Sequence, residues 1–408
     1  MDGLLMGARE LGNPLGNPLG LARKQGGASD PTANAGFFLA APSSKWVKAN
    51  GQTMAKSALA GQPWPTFEWN YSGPLTTIST AGKVMGCAYS ADGNYMAVAL
   101  DTTPFIAVYK RSADGYTLLA NPDVLPPSAA VMGGSCIAFS GDGTYLAIAS
   151  SAAPRITIYK RSGDAFTKLA DPATLPGITG YSCAFSPDGT HLAVGTASSP
   201  YLQVYGRTGD VFTKLANPPS AVAAVAYSVA YSPDGNYLAA TTNTTPYVQV
   251  FSRTGDTYTK LANPAILPGS AAVACAFSPD GKLLALTSSG GSFGALYTYA
   301  GGTLVKAGSS LSGLGTSKDV AFSPDSAYLA VVCDASPYIF LWRSLGDGTL
   351  SALPPPAQLV GSAAYCGEFS PDGEHFMVGS LGLSSMSFYG SSQNVTLPYT
   401  PYLYLRTR

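Results

Sequence analysis

From residue 66 to residue 390 the chain is built of short apolar runs separated by polar corners, and no window holds a helical apolar period over three turns. The stretch beginning at Tyr181 shows the unit. Tyr181-Ser182-Cys183-Ala184-Phe185 is short, apolar and aromatic, as a buried strand requires. Ser186-Pro187-Asp188-Gly189 follows and reads as a hairpin turn: Pro presets φ, Asp bonds its own backbone and Gly takes positive φ. A second strand over His191 to Thr196 is broken at Ser198-Ser199-Pro200, and Tyr201-Leu202-Gln203-Val204-Tyr205 alternates as a third. Arg207-Thr208-Gly209-Asp210 turns the chain into a fourth strand, Val211 to Leu215, which ends at Asn217-Pro218.

That unit recurs. Its turn is Ser-Ala-Asp-Gly at Ser90, Ser-Gly-Asp-Gly at Ser140 and Ser-Pro-Asp-Gly at Ser186, Ser232, Ser278 and Ser370, with Ser-Pro-Asp-Ser at Ser323. The turn aspartates, Asp92, Asp142, Asp188, Asp234, Asp280, Asp325 and Asp372, are spaced by 50, 46, 46, 46, 45 and 47 residues. Four strands per period of that length predict an all-β, seven-bladed β-propeller of four-stranded antiparallel blades. A blade has two apolar faces, so each must pack on its neighbours and the last must meet the first. The seventh repeat lacks a fourth strand after Tyr389. Thr66 to Tyr71, which aligns with the outer-strand phrase at Phe166, is the expected latch, and Asn394 to Leu397 is the competing one. The expected organisation is an extended, irregular arm and linker over 1–45, a connector over 46–65, the propeller over 66–392 and a C-terminal strand or tail over 393–408.

Charge narrows the partners. There are 23 basic and 23 acidic residues, so neither nucleic acid nor membrane insertion is expected of a chain with no net charge and no long apolar run. Charged residues make up only 11% of the chain, a surface that favours association over colloidal solubility. The six cysteines fall in inner and second strands of separate blades, which places them as small buried hydrophobes and not as disulfides. Asp2 stands where a signal peptide has basic residues, and no apolar segment follows. In the arm, Gly-Asn-Pro-Leu repeats over 11–20 space Leu11, Leu15 and Leu19 as candidate docking residues. A plain disordered tail is the other reading.

Trp46-Val47-Lys48-Ala49-Asn50-Gly51-Gln52 resembles a segment common in bacteriophage tail-fibre and tail-collar proteins, and the aromatic C-terminus over 395–406 looks like the closing strands of such fibres. The Ser-Pro-Asp-Gly turns resemble those of WD40-like and lactonase-like propellers. The Trp-Asp pair that ends a true WD40 third strand is here Tyr109-Lys110, Tyr159-Lys160, Tyr205-Gly206, Phe251-Ser252 or Trp342-Arg343. These resemblances imply a virion protein of a tail fibre or tail tip. It would be present in several copies, joined to other virion proteins by its arm and facing a host glycan or protein with its propeller. Capsid decoration and a neck or tail-nozzle role use the same parts. A lactonase-like hydrolase is the alternative of another class.

The residues offer that hydrolase little. His191 and His375 both sit three positions after the turn Asp, where Tyr95, Tyr145, Tyr237 and Tyr328 stand in other blades, so each fills a packing slot. No Asp-x-Asp-x-Asp-Gly calcium loop occurs, and Gly290-Gly291-Ser292-Phe293-Gly294 matches a nucleophile elbow without its strand-turn-helix context. No catalytic residue, metal or cofactor is expected. The connections between second and third strands instead repeat Pro-aromatic, which makes Phe105, Tyr201, Tyr247 and Tyr338, with Arg155 after Pro154, the candidate binding residues on one face of the disc. The plainer reading is that each begins a third strand and packs between blades.

Overall fold

A computed structural model of the chain describes residues 74–390 except 113–114, 129–133, 219–221, 223, 291–292, 301, 313, 346–347, 357–359 and 383–384. It also describes the short strands Leu21–Ala22, Phe38–Leu39, Thr53–Ala55 and Asn394–Thr396. Two compact units result: Met1–Asn70 with Gly390–Arg408, and Tyr71–Tyr389. In the first, Leu21–Ala22 pairs with Phe38–Leu39, and Thr53–Ala55 pairs with Asn394–Thr396. Leu11, Leu15, Leu19 and Trp46 lie outside the described residues.

The second unit is a seven-bladed propeller of four-stranded antiparallel sheets. Blade 3 shows the plan: Gly180–Phe185, His191–Thr196, Leu202–Thr208 and Val211–Lys214 follow one another in sheet order. Each inner strand lies beside the inner strand of the next blade, and Ala364–Phe369 of blade 7 lies beside Val84–Tyr89 of blade 1, so the ring closes. Second strands such as Tyr95–Leu100, His191–Thr196 and Leu283–Ser288 are buried at every position because blades cover both of their faces. Their midpoint is Ala97, Ala147, Ala193, Ala239, Ala285 or Ala330 in six blades, a small side chain that lets neighbouring sheets approach.

Closure follows the N-terminal route, with a different strand. Pro74–Ser79 is the outer strand of blade 7, with Ser387 opposite Thr77 and Met386 opposite Ile78. The expected segment, Thr66 to Tyr71, lies outside the described residues, and the competing Asn394 to Leu397 stretch is not a blade strand: its Asn394–Thr396 part pairs with Thr53–Ala55. The choice is consistent with the side chains. Proline is tolerated at the first position of an edge strand, and Ile78 packs into the core shared by blades 7 and 1, against residues including Met377, Met386 and Phe388. All six cysteines are free and buried, as their slots imply. No helix among the described residues is long and apolar enough to cross a membrane.

Candidate functional site

The two faces of the disc differ in how they spend their polar groups. On the face of the Ser-x-Asp-Gly turns each motif is a closed circuit: Ser186 Oγ donates to Asp188 Oδ1 at 2.5 Å and accepts from His191 N at 2.9 Å, and Gly189 sits at φ 66°. Blades are then tied to one another. Tyr95 and Tyr145 donate to Asp164 and Asp210 of the next blade at 2.6 Å, where Lys110 and Lys160 join them, while Arg253 reaches back to Asp188 at 2.8 Å and Arg111 back to Asp372. Burial works against ionisation of Asp188, yet bonds from Arg253, Ser186 and Thr190 outweigh it and hold that carboxyl well below the usual range.

His191 belongs to this circuit. It is 4% exposed, its Nε2 lies 2.9 Å from Asp256 Oδ1 of blade 4 and its Nδ1 lies 2.7 Å from Thr190 Oγ1. It therefore does what Tyr95 and Tyr145 do. His191→Tyr is expected to change unfolding free energy by less than about 1 kcal/mol, and His191→Ala to cost about 2 kcal/mol, in urea titrations. His375 holds the same slot in blade 7, where burial lowers its pKa. Asp372, Glu374 and His375 offer ligand atoms within 4.8 Å of one another. Asp372 is already taken up by Ser370, Glu374 N and Arg111, and Glu374 lies 3.9 Å from Arg111.

The opposite face carries the five candidate binding residues in one repeated setting. Cis peptides precede Pro104, Pro154, Pro200, Pro246 and Pro337. In every case the end of the second strand donates a backbone N–H to the carbonyl of the residue after Pro: Leu100 to Phe105, Ser150 to Arg155, Thr196 to Tyr201, Thr242 to Tyr247 and Cys333 to Tyr338, at 2.7–3.0 Å. Phe105, Arg155, Tyr247 and Tyr338 take φ of 64–69°, unusual for non-glycine residues and sustained by those bonds. All five side chains are half-buried. They stand one per blade around the ring and do not converge, and Arg155 Nε is engaged by Gly177 O at 3.3 Å.

What does converge lies nearer the axis. Six inner strands carry a bulge at their second residue, and the bulged residues are Met85, Tyr181, Tyr227, Val273, Lys318 and Tyr365, with Ser135 in the corresponding slot of blade 2. Tyr181 and Tyr227 meet edge to face with centroids 5.4 Å apart, and Lys318 Nζ lies 5.3 Å from the centroid of the Tyr365 ring. Blade 2 departs from the pattern. Its inner strand is cut to Ile137–Phe139 behind a 3-10 turn, Gly134–Cys136, which touches inner strands of blades 1, 3, 4, 6 and 7. Only the axial tunnel offers those neighbours at once. Ser135 Oγ in that turn lies 2.9 Å from Ser228 Oγ of blade 4.

Two acids also line the inner ring unseen by the motif reading. Six blades pair Ala with Ala at the midpoint of the first two strands, as in Ala88 with Ala97 and Ala184 with Ala193; blade 7 pairs Glu368 with Met377. Asp319, in blade 6, accepts from Val320 N at 2.9 Å and from Gly367 N of blade 7 at 3.2 Å. Burial pushes Asp319 up to about 7 against those two donors, and burial together with Asp319 pushes Glu368 up to about 8. The signal was in the repeat: Glu368 stands where six blades have Ala, and Asp319 where the others have Gly, Cys, Ser or Ala. Ser292 lies outside the described residues.

No family model matches the chain, and no curated protein matches it. Solved structures match in large numbers, which marks a common fold. One chain from the "Crystal Structure of Mitotic Checkpoint Complex" superposes with a TM-score of 0.59 at 18% identity, over 80% of this chain and 97% of that one. Likeness at that identity carries the fold alone, and the fold is a seven-bladed β-propeller of WD40-like architecture.

Proposed function

We propose that this chain is a structural protein of a bacteriophage virion, a tail-fibre or tail-tip component. Its N-terminal arm docks into the particle, and its propeller presents the face of the Pro-aromatic turns to a host surface or a neighbouring subunit. The observation that carries this reading is the asymmetry of the disc. From blade 7 through blade 4 the Ser-x-Asp-Gly face pairs its charges between neighbouring blades, whereas the other face holds half-buried Phe105, Tyr201, Tyr247 and Tyr338 around a mouth lined by Tyr181 and Tyr227. The flanking segments add the resemblance to tail proteins. A hydrolase reading is disfavoured because His191 is bound into the blade-to-blade circuit and His375 fills the same slot.

Deleting residues 1–45 is the test of docking. The truncated protein is expected to keep the cooperative unfolding of the intact chain and to be missing from purified particles made in cells expressing only that form. Truncated chains riding on purified virions would end the docking claim. Decoration of the capsid or a place in the neck would show as the intact chain's density elsewhere on the same particles.

A further inference from the structure

The bulged slot is the part of the repeat released from architecture. Five residues before each turn Asp stands Cys, Ile, Val or Gly, four before stands Ala in six blades, and three after stands Tyr, His or Leu. Those slots pack between sheets and barely vary. Seven before the Asp the residues are Met85, Ser135, Tyr181, Tyr227, Val273, Lys318 and Tyr365, so chemistry changes around the ring where packing does not dictate it. A bulge re-aims its side chain out of the ladder, which is how a closed repeat acquires an asymmetric surface at its axis.

We infer that this tunnel mouth is a binding site for a neutral carbohydrate, with Tyr181 and Tyr227 as its stacking platform and the hydroxyl of Ser135 as a hydrogen-bonding partner beside it. The inference rests on reading this face as the binding face. Tyr181 and Tyr227 are half-buried and set edge to face, a geometry in which the two rings are not stacked on each other, and no hydrogen bond of either phenol occurs among the described residues. A ring face with a free hydroxyl suits the C–H face and hydroxyls of a sugar ring. Lys318 is the one basic residue among the seven bulged-slot residues, and it lies 3.4 Å from Asp334 and over the Tyr365 ring, so its charge is already paired. The half-buried Ser135 hydroxyl lies 2.9 Å from that of the buried Ser228 and can turn from it to bond a polyhydroxyl ligand.

Isothermal titration of the full chain with neutral gluco-, manno-, galacto- and N-acetylhexosamine oligosaccharides, and with sialylated ones as the charged arm, tests this. Saturable binding of at least one neutral oligosaccharide is expected, weakened about tenfold by Tyr181→Ala and by Tyr227→Ala, less by either Phe variant, and unchanged by His191→Tyr on the other face. Thermal melts of the variants verify folding, and the conservative Tyr→Phe pair keeps the test valid where an Ala variant unfolds. Binding untouched by all four tyrosine variants, binding of sialylated sugars alone, or no binding across the panel overturns the proposal. A variant that loses sugar yet still enters particles separates this site from the docking arm, so the sugar site and the virion assignment fail or survive independently.

Discussion

Glu368→Ala is expected to stabilise the propeller, and to do so more strongly at pH 9 than at pH 5. Glu368 is the only residue at its slot that is not Ala, it lies in the inner ring with Asp319 as its charged neighbour, and its carboxyl is raised to about 8 from 4.5. The folded state therefore holds a proton that the unfolded state releases near pH 4.5. Stability from that proton is complete below pH 4.5, declines as pH rises and is fully lost above about pH 8. Asp319 acts in the same direction up to about pH 7. Glu368 keeps some accessible surface, which relieves part of the penalty, and the remaining effect is on the order of 3 kcal/mol at pH 9. Urea unfolding from pH 5 to pH 9 should show a falling midpoint for the parent, a nearly level one for the Glu368→Ala, Asp319→Asn double variant, and an intermediate slope for Glu368→Gln. A parent midpoint that rises across this range would refute the argument. Below about pH 4 the pH trend reverses and all of these proteins lose stability as pH falls, because Asp92, Asp142, Asp188, Asp234, Asp280 and Asp372 are all held below the usual carboxylate range and their stabilising bonds fail on protonation.

The second large effect is at the latch. A chain beginning at Ser72 is expected to fold into the full ring, whereas one beginning at Thr80 is expected to aggregate or to unfold without cooperativity. Six residues separate the two designs in structural terms, Pro74–Ser79, and removing them bares the edge of Ser385–Gly390, a strand buried at every position. It also removes Ile78 from the core joining blades 7 and 1. Equal solubility and equal melting cooperativity of the two chains, by size-exclusion chromatography and calorimetry, would show that the ring does not depend on this strand.

Turn chemistry was legible because it is local. Ser, Asp and Gly within four residues close their own hydrogen bonds, so Ser186 to Gly189 can be read without knowing what surrounds them. The packing slots of His191 and His375 were legible for another reason: comparing a repeat with its copies separates a structural histidine from a catalytic one. The same comparison, carried into the inner strand, exposes Glu368 against six alanines and the varied residues of the bulged slot. Taken singly, strands of that kind read simply as buried, and a bulge leaves no mark of its own in one strand's sequence. Tyr181, read as a core residue, is half-buried at the tunnel mouth for that reason.

By itself the sequence determined the number of blades, their four-stranded plan and the face on which the turns and the Pro-aromatic connections fall, since a 46-residue period with turn residues at constant offsets admits one kind of ring. Tertiary structure alone decided which strand latches it, that the first turn of blade 2 enters the axis, and which tyrosines meet. Those outcomes depend on contacts between residues tens to hundreds of positions apart, such as Ile78 beside the core of blade 7 and Ser135 against Ser228. Local pattern specifies what each segment is; only closure of the ring brings distant segments to one axis and gives them neighbours.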